Sequence, residues 1–158
     1  MGLRFFTVYG TSGRPDMALF KFTNLILKDK SIQVFNHGKM TRDFTYIDDV
    51  IESIYLLIKK LINKKIHKNI QDQAPYKIFN IGNSKPTNLE DYIKAIELNL
   101  NKKAKIVYED MQPGDVKATY ANTQYLENEI NFKPNTTINV GIKKFISSYI
   151  SYYKKTSN

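Results

Sequence analysis

The sequence predicts an α/β fold, because short runs of strand-forming residues alternate with segments whose apolar residues recur every three or four positions. Residues 3–9 (LRFFTVY) are dense in β-branched and aromatic side chains and are followed by Gly10, which is typical of a buried strand. The clearest helix has an apolar stripe at helical spacing, formed by Val50, Ile51, Ile54, Leu57, Ile58 and Leu61. A length of 158 residues favours one compact domain.

The first half of the chain continues this alternation. After a loop at residues 10–15, Pro15 and Asp16 suit the start of a helix that reaches about Leu27. The elements that follow are predicted as a strand at 32–35, a strand at 43–47, the striped helix capped by Asp48 or Asp49, a loop or frayed end at 63–75 and a strand at 76–81.

The second half begins with Thr87 and Glu90, whose spacing predicts a capping box at the start of a helix. The apolar face of that helix is formed by Leu89, Ile93, Ile96 and Leu100. The remaining elements are predicted as a strand at 104–108, a turn-rich connector at 109–116, a short helix at 123–130, a final helix from Thr136 or Thr137, and a frayed tail at 154–158. The apolar stripe of the final helix is formed by Val140, Phe145, Ile146, Tyr149 and Ile150.

Composition and charge restrict the classes of function. The absence of cysteine excludes disulfides and thiolate metal sites, and His37 and His67 are both interpreted as surface residues, so no metal site is expected. No apolar stretch is long enough to cross a membrane, and the residues after Met1 lack the order of a signal peptide, which predicts a cytoplasmic protein. The net charge of +9 fits either anionic ligands or lysine-rich solvated helix surfaces.

Four segments carry the chemistry: GRPDM (13–17), IQVF (32–35), RDFTYIDD (42–49) and QPGD (112–115). They supply two arginine guanidinium groups, an aromatic ring and a carboxylate. A nucleoside diphosphate sugar needs such groups to hold its pyrophosphate, its base and its ribose, respectively. Each residue also has a simpler interpretation. Arg42 and Asp43 could form a surface ion pair, Phe35 could belong to the core, and Asp115 could serve only its turn.

The order and separation of LRFFTVYG, GRPDMA, RDFTYIDDV and MQPGDV resemble the C-terminal half of the extended short-chain dehydrogenase/reductase family. Within it, the chain is most similar to UDP-glucuronate 4-epimerases and related nucleotide-sugar epimerases of capsule and lipopolysaccharide synthesis. The resemblance covers Gly2 to about Tyr153. It implies the substrate-binding lobe of a Rossmann-type epimerase, together with two strands of the parent sheet at residues 3–9 and 76–81.

The resemblance also implies roles for individual residues, and each assignment follows a matching motif. Arg14 matches an arginine aimed at the sugar carboxylate, and Thr7 matches a substrate contact. The nucleotide would be held through the uracil by Gln33 and Phe35, through the pyrophosphate by Arg42 and through the ribose by Asp115. Gln112 stands where galactose-type epimerases carry arginine and uronate epimerases commonly show glutamine, which supports a uronate substrate.

The family binds NAD through a GxxGxxG loop and performs its chemistry with a YxxxK pair, and neither occurs here in the family's setting. We therefore expect residues 1–153 to be the nucleotide-sugar-binding portion, without the NAD-binding half, without catalytic residues, and inactive alone. NAD is not expected to bind this chain by itself. Without their sheet neighbours, the strands at 3–9 and 76–81 would expose backbone edges, which predicts a homodimer, a rearranged core or poor solubility. A separately encoded NAD-binding half that joins in trans is a further possibility. The rival hypothesis is a small basic protein that binds nucleic acid or an acidic partner, although no nucleic-acid motif supports it.

Overall fold

The structure, a computed structural model, describes residues 1–66 and 77–155. Its strands are β1 (Gly2–Phe5), β2 (Thr7–Tyr9), β3 (Ser31–Val34), β4 (Thr41–Arg42), β5 (Phe44–Tyr46), β6 (Ile78–Ile81), β7 (Thr87–Asn88) and β8 (Lys105–Tyr108). Its helices are α1 (Ala18–Leu27), α2 (Ile47–Ile66), α3 (Leu89–Leu100), α4 (Gln124–Ile130) and α5 (Ile138–Lys155). The predicted α/β class is confirmed.

The strands pair two by two. β1 pairs with β6, β2 with β5 and β3 with β8, all in parallel, whereas β4 and β7 are antiparallel. The single strand predicted over residues 3–9 is divided at Phe6, because the chain changes neighbours there. The Phe6 N–H donates to the Ile81 carbonyl at 3.3 Å, and the Thr7 N–H donates to the Asp43 carbonyl at 3.1 Å. This change brings Thr7 beside the RDF segment.

The larger hydrophobic core lies between α1, α3 and α5 and the strands they cover. Its centre is aromatic: the Phe44 and Tyr92 rings stack with centroids 3.9 Å apart, and Tyr9 meets both edge-on. Gly141 allows α5 to approach this cluster, since a Cβ there would lie 2.3 Å from the Tyr9 hydroxyl oxygen. A smaller core lies beneath α2 and α4 and is formed by Val50, Leu57, Phe79, Ile81 and Leu126.

Helix α2 differs from its prediction in three ways. It begins at Ile47, so Asp48 and Asp49 lie in its first turn and not at the N-cap. Its predicted single stripe is wrong for Ile51, Ile58 and Leu61, which are 57%, 46% and 39% exposed. The helix also extends to residue 66, so the predicted loop at 63–75 is wrong over 63–66, while 67–76 lie outside the described residues.

Two helix starts were predicted from local signals that the tertiary structure uses differently. Helix α1 begins only at Ala18, and Asp16 binds Arg14 instead of the helix. The capping box is wrong: the N-cap of α3 is Asn88, without a side-chain bond, because Thr87 is drawn into the antiparallel pairing with Arg42.

Smaller differences concern single residues and the tail. Phe35 begins a 3-10 turn and does not belong to the preceding strand. On α5, Val140 is 50% exposed, whereas Ile142 is buried. The helix includes Lys154 and Lys155, which were predicted to be frayed, and 156–158 lie outside the described residues. Among the described helices, none is both long and apolar enough to span a membrane.

Candidate functional site

Arg42 and Asp115 form an ion pair that joins two of the predicted ligand-binding segments. Arg42 Nη2 donates to Asp115 Oδ1 at 2.8 Å, and Nη1 donates to the carbonyls of Thr41 at 3.0 Å and Lys117 at 3.3 Å. The side chains are 16% and 35% exposed. The guanidinium is therefore held from two sides, which fixes its direction before any ligand arrives.

A tight turn presents Asp115 to Arg42. The Asp115 N–H donates to the Gln112 carbonyl at 3.2 Å, and Asp115 Oδ1 accepts the Val116 N–H at 2.8 Å. Gly114 has a φ of +82°, a backbone conformation that favours glycine. Asp115 thus has the turn role that its sequence context suggested and an ion pair as well.

Gln33 and Phe35 lie at the end of β3, next to the segment that leads to this turn. Gln33 is exposed, and its Nε2 donates to Glu109 Oε1 at 2.7 Å. The Glu109 N–H donates in turn to the Val34 carbonyl at 3.0 Å. Phe35 is partly buried, so its ring is neither sealed in the core nor fully in solvent. The β3–β8 pairing thereby orders one end of the 109–116 connector.

Thr7 and Arg14 line a cavity of about 50 Å³ after the carboxyl end of β2. Arg14 binds Asp16 through both arms of its fork, with Nε to Oδ1 at 3.0 Å and Nη2 to Oδ2 at 2.5 Å. The hydrogen bond from Arg14 lowers the pKa of the Asp16 carboxyl below its ordinary value. The aromatic part of the cavity wall is formed by Tyr9, Phe20, Phe44, Tyr92 and Phe145.

Asp43 connects the segments that carry Thr7, Asn83 and Ala121, and sequence reasoning missed this role. Its carboxylate accepts the N–H groups of Asn83 at 2.8 Å and Ala121 at 2.9 Å. Its own N–H donates to Thr119 Oγ1 at 3.0 Å, and its carbonyl accepts the Thr7 N–H at 3.1 Å. One buried residue therefore holds together three segments that are distant in sequence.

The surface ion pair considered for Arg42 and Asp43 is wrong. Asp43 is completely buried, and Arg42 pairs with Asp115 instead. A local signal was present, since an acidic residue inside an apolar strand needs buried hydrogen-bond donors. The sequence could not show that backbone N–H groups 40 and 78 residues away supply them.

Asp48 and Asp49, interpreted from sequence as capping residues, diverge in the structure. Asp49 is buried, and its carboxylate accepts the N–H groups of Asn135 at 3.1 Å and Thr136 at 2.9 Å, just before α5. Asp48 is exposed and pairs with Lys144 at 3.1 Å. Asp49 thus fixes the backbone just before α5, and both carboxylates are occupied by contacts within the chain.

Other candidate groups have ordinary structural surroundings. His37 is exposed and lies 3.1 Å from Asp110, as expected for a surface residue, while His67 lies outside the described residues. The described part of the chain contains no group of three or more side chains suited to a metal. Tyr149 packs edge-on against Phe20 with centroids 5.1 Å apart, which agrees with the predicted packing role.

Among the described residues, neither the glycines after β2 nor the YxxxK spacing on α2 fits an NAD-binding site. Gly10 serves packing, since a Cβ there would lie 2.4 Å from the Ile47 side chain, and the Gly13 N–H donates to the Gly10 carbonyl. Tyr55 and Lys59 have the YxxxK spacing, but Tyr55 is 56% exposed on α2 and neither residue lines the cavity with Thr7. We therefore assign no NAD contact and no proton transfer to these residues.

These features define a Rossmann-type α/β protein in which the Arg42 guanidinium and the Asp115 carboxylate form an ion pair. The chain belongs to the NAD dependent epimerase/dehydratase family, whose model matches residues 1–82.

The relatives of the chain are all considerably longer than the chain itself. It is 52% identical to protein CapI of Staphylococcus aureus over 160 residues, covering 98% of this chain and 48% of that protein. It is 44% identical to UDP-glucuronate 4-epimerase 4 of Arabidopsis thaliana, covering 96% and 36%. The structure of UDP-glucuronic acid 4-epimerase from Bacillus cereus in complex with UDP-glucuronic acid and NAD matches with a TM-score of 0.81 at 28% identity, covering 96% and 45%. The chain thus spans between 36% and 48% of the length of these proteins.

Proposed function

We propose that this chain is the UDP-sugar-binding portion of an NAD-dependent nucleotide-sugar epimerase that acts on UDP-glucuronate or a closely related sugar. The observation that carries the proposal is the Arg42–Asp115 ion pair. It places the cation that would bind the pyrophosphate next to the carboxylate that would bind the ribose. The names of the relatives and the ligands of the Bacillus cereus structure support this choice of substrate.

The site divides into a nucleotide end and a sugar end. Arg42 and Asp115 hold the pyrophosphate and ribose, while Gln33 and Phe35 receive the uracil. The sugar end is the cavity beside Thr7, where Arg14 supplies a fork for a carboxylate. Asp43 connects the two ends, because it follows Arg42 directly in the chain and its carbonyl accepts the Thr7 N–H at 3.1 Å.

Ligand-dependent stability tests the binding proposal directly. UDP and UDP-glucuronate at about 100 times the dissociation constant should raise the free energy of unfolding by roughly 2.7 kcal/mol. The shift is measured by thermal denaturation, with inorganic phosphate as the control ligand. A folded sample that shows no shift with either nucleotide contradicts the proposal.

The residues of this chain do not suffice for turnover in this proposal, and an NAD-binding half completes the enzyme. Turnover of UDP-glucuronate should require that half, with NAD bound to it. Mixing the chain with the N-terminal half of a close relative tests this, since 4-epimerised product should form only in the mixture. Turnover by the isolated chain overturns the claim of inactivity.

The proposed partner covers the outer side of α2. That side carries a second apolar stripe, whose members are 46–57% exposed: Ile51, Tyr55, Ile58 and Ile62. Phe5 on β1 is also 50% exposed, although parallel sheets are normally covered on both faces. An Ile58→Glu variant should lose the partner half in co-purification. Leu98→Glu, which alters an equally apolar position 75% exposed on α3, should retain it.

A basic nucleic-acid-binding protein is the competing proposal, and the distribution of charge weighs against it. Many lysines form ion pairs with acidic side chains of the same surface: Lys60, Lys77, Lys94, Lys102, Lys103, Lys133 and Lys144. This pairing reduces the local positive field that would attract phosphates. Salt-dependent retention on DNA, with no response to UDP, is the result that favours the competitor.

A further inference from the structure

The fork of Arg14 is already filled by a carboxylate from its own chain. Both oxygens of Asp16 accept from Arg14, at 3.0 Å and 2.5 Å, in the parallel arrangement with which arginine binds a free carboxylate. The two side chains are 76% and 62% exposed, so solvent screens the pair and it contributes little to the fold. The contact is therefore open to exchange with a ligand.

Arg14 lies where the exchange of Asp16 for a ligand carboxylate would affect binding in the cavity beside Thr7. Among the described residues that line the cavity beside Thr7, Arg14 alone is charged, and the remaining wall is largely apolar or aromatic. Asp16 does not belong to this lining, although its carboxylate engages the only cation there. An acidic ligand group entering the cavity would meet a cation that is engaged elsewhere.

We propose that Asp16 is a specificity-determining residue, whose carboxylate occupies the place of a sugar carboxylate on Arg14 and competes with it. This inference rests on the proposed function, because it names the group that sets the preference of that site between acidic and neutral sugars. A hexuronate exchanges one carboxylate for another on the same fork. A neutral hexose offers only hydroxyls, which are weaker acceptors, and leaves the Arg14–Asp16 pair intact.

Asp16 opposes a hexuronate in two ways. It must first release Arg14, and afterwards its own charge lies close to the incoming carboxylate. Both effects act only on acidic sugars, so Asp16 moderates the affinity for a uronate and leaves that for a neutral sugar unchanged. The acidic ligand should gain affinity when this charge is removed.

The test compares dissociation constants from isothermal titration calorimetry for UDP-glucuronate, UDP-glucose and UDP. Asp16→Asn keeps the shape of the side chain and removes its charge. We expect roughly two- to fivefold tighter binding of UDP-glucuronate, the range for one exposed opposing charge, and no change for the other two ligands. Asp91→Asn is the matched control, since Asp91 is 57% exposed and pairs with an exposed lysine at 3.2 Å.

A second pair of variants excludes an indirect effect. In an Arg14→Gln background, UDP-glucuronate should bind no better than UDP-glucose, and adding Asp16→Asn should then produce a smaller gain, because only the direct repulsion remains to be removed. A gain as large without Arg14 as with it, or equal changes for all three ligands, overturns the inference. If the unaltered chain binds UDP but Asp16→Asn leaves the ratio of affinities unchanged, the inference alone fails. If the unaltered chain binds no UDP, the proposed function fails first and the inference with it.

Discussion

Arg42 Nη2 lies 2.8 Å from Asp115 Oδ1, although the two residues are separated by 73 positions in the sequence. The pair joins β4 to the turn at residues 112–115, and each partner fixes the direction of the other. It also places a negative charge beside the cation that is proposed to hold a pyrophosphate. Asp115 therefore affects the affinity of Arg42 for a pyrophosphate in two opposing ways, because it orients the guanidinium and also partly neutralises its charge.

Replacing Arg42 by lysine should weaken UDP binding by about 10- to 100-fold, because one ammonium cannot reproduce charge-assisted bonds made by a fork. Calorimetric titration with UDP measures the loss. Arg4→Lys is the control, since Arg4 is exposed on β1 and has no assigned ligand role. Equal affinities for both variants would remove Arg42 from the site.

Replacing Asp115 by alanine should have opposite effects on two ligands. UDP should bind more weakly, because the ribose loses its acceptor, whereas inorganic pyrophosphate should bind more tightly, because Arg42 is no longer partly neutralised. Titrations of both ligands give the comparison. The control Asp110→Ala removes an equal charge from a side chain that is 99% exposed and should change neither. Weaker binding of both ligands would mean that Asp115 mainly orients Arg42.

Replacing Gly141 by alanine should destabilise the fold. The added Cβ would lie 2.3 Å from the Tyr9 hydroxyl oxygen and 2.7 Å from Tyr46 Cδ2, so α5 must move away from the aromatic core. Overpacking costs about 1–3 kcal/mol, which exceeds the helix-propensity gain of up to about 1 kcal/mol. Urea denaturation measures the difference, and Ser147→Ala on the exposed side of α5 should be neutral or slightly stabilising. An unchanged midpoint for Gly141→Ala would contradict the close approach of α5.

Replacing Asp43 by asparagine should cost about 2–3 kcal/mol of unfolding free energy, because a buried acceptor of two backbone N–H groups becomes in part a donor. UDP affinity should fall as well, since the segments carrying Asn83 and Ala121 lose their common acceptor next to Arg42. Asp48→Asn, at an exposed ion pair, is the comparison. A variant of normal stability would show that Asp43 does not hold these segments together.

Replacing Glu127 by glutamine should flatten the loss of stability in acid. The hydrogen bond from Thr123 Oγ1 at 2.6 Å, and then the Lys133 ammonium, hold the pKa of Glu127 below its ordinary value of 4.5. Its contribution is fully present above pH 4.5 and is lost as the pH falls through the lower, folded-state pKa, since the unfolded chain is protonated first.

The measurement is urea denaturation between about pH 6 and pH 3. The difference in unfolding free energy between the unaltered chain and Glu127→Gln should shrink as the pH falls. Glu52→Gln, at an exposed position on α2, should run parallel to the unaltered chain. A constant difference for Glu127→Gln across this range would exclude the linkage.

Local pattern was sufficient where one interaction dominated. The α3 face formed by Leu89, Ile93, Ile96 and Leu100 was predicted correctly, because apolar residues three or four positions apart lie on the same face of a helix. The capping box at Thr87 was wrong, because a competing strand pairing with Arg42 used the same backbone. On α2, Ile51 and Ile58 were wrongly assigned to the core, because they are as apolar as their buried neighbours.

The sequence by itself determined the α/β class, the order of the elements and the motifs through which the chain resembles its family. It also singled out Arg42 and Asp115 as separate candidates. Only the tertiary structure decided that these two residues pair with each other, that Asp43 is a buried anchor and that Asp16 occupies the fork of Arg14. The reason is physical: helix and strand periodicity depends on near neighbours in the chain. The partner of a charged or buried polar group is chosen by whichever donor or acceptor folding brings within hydrogen-bonding distance.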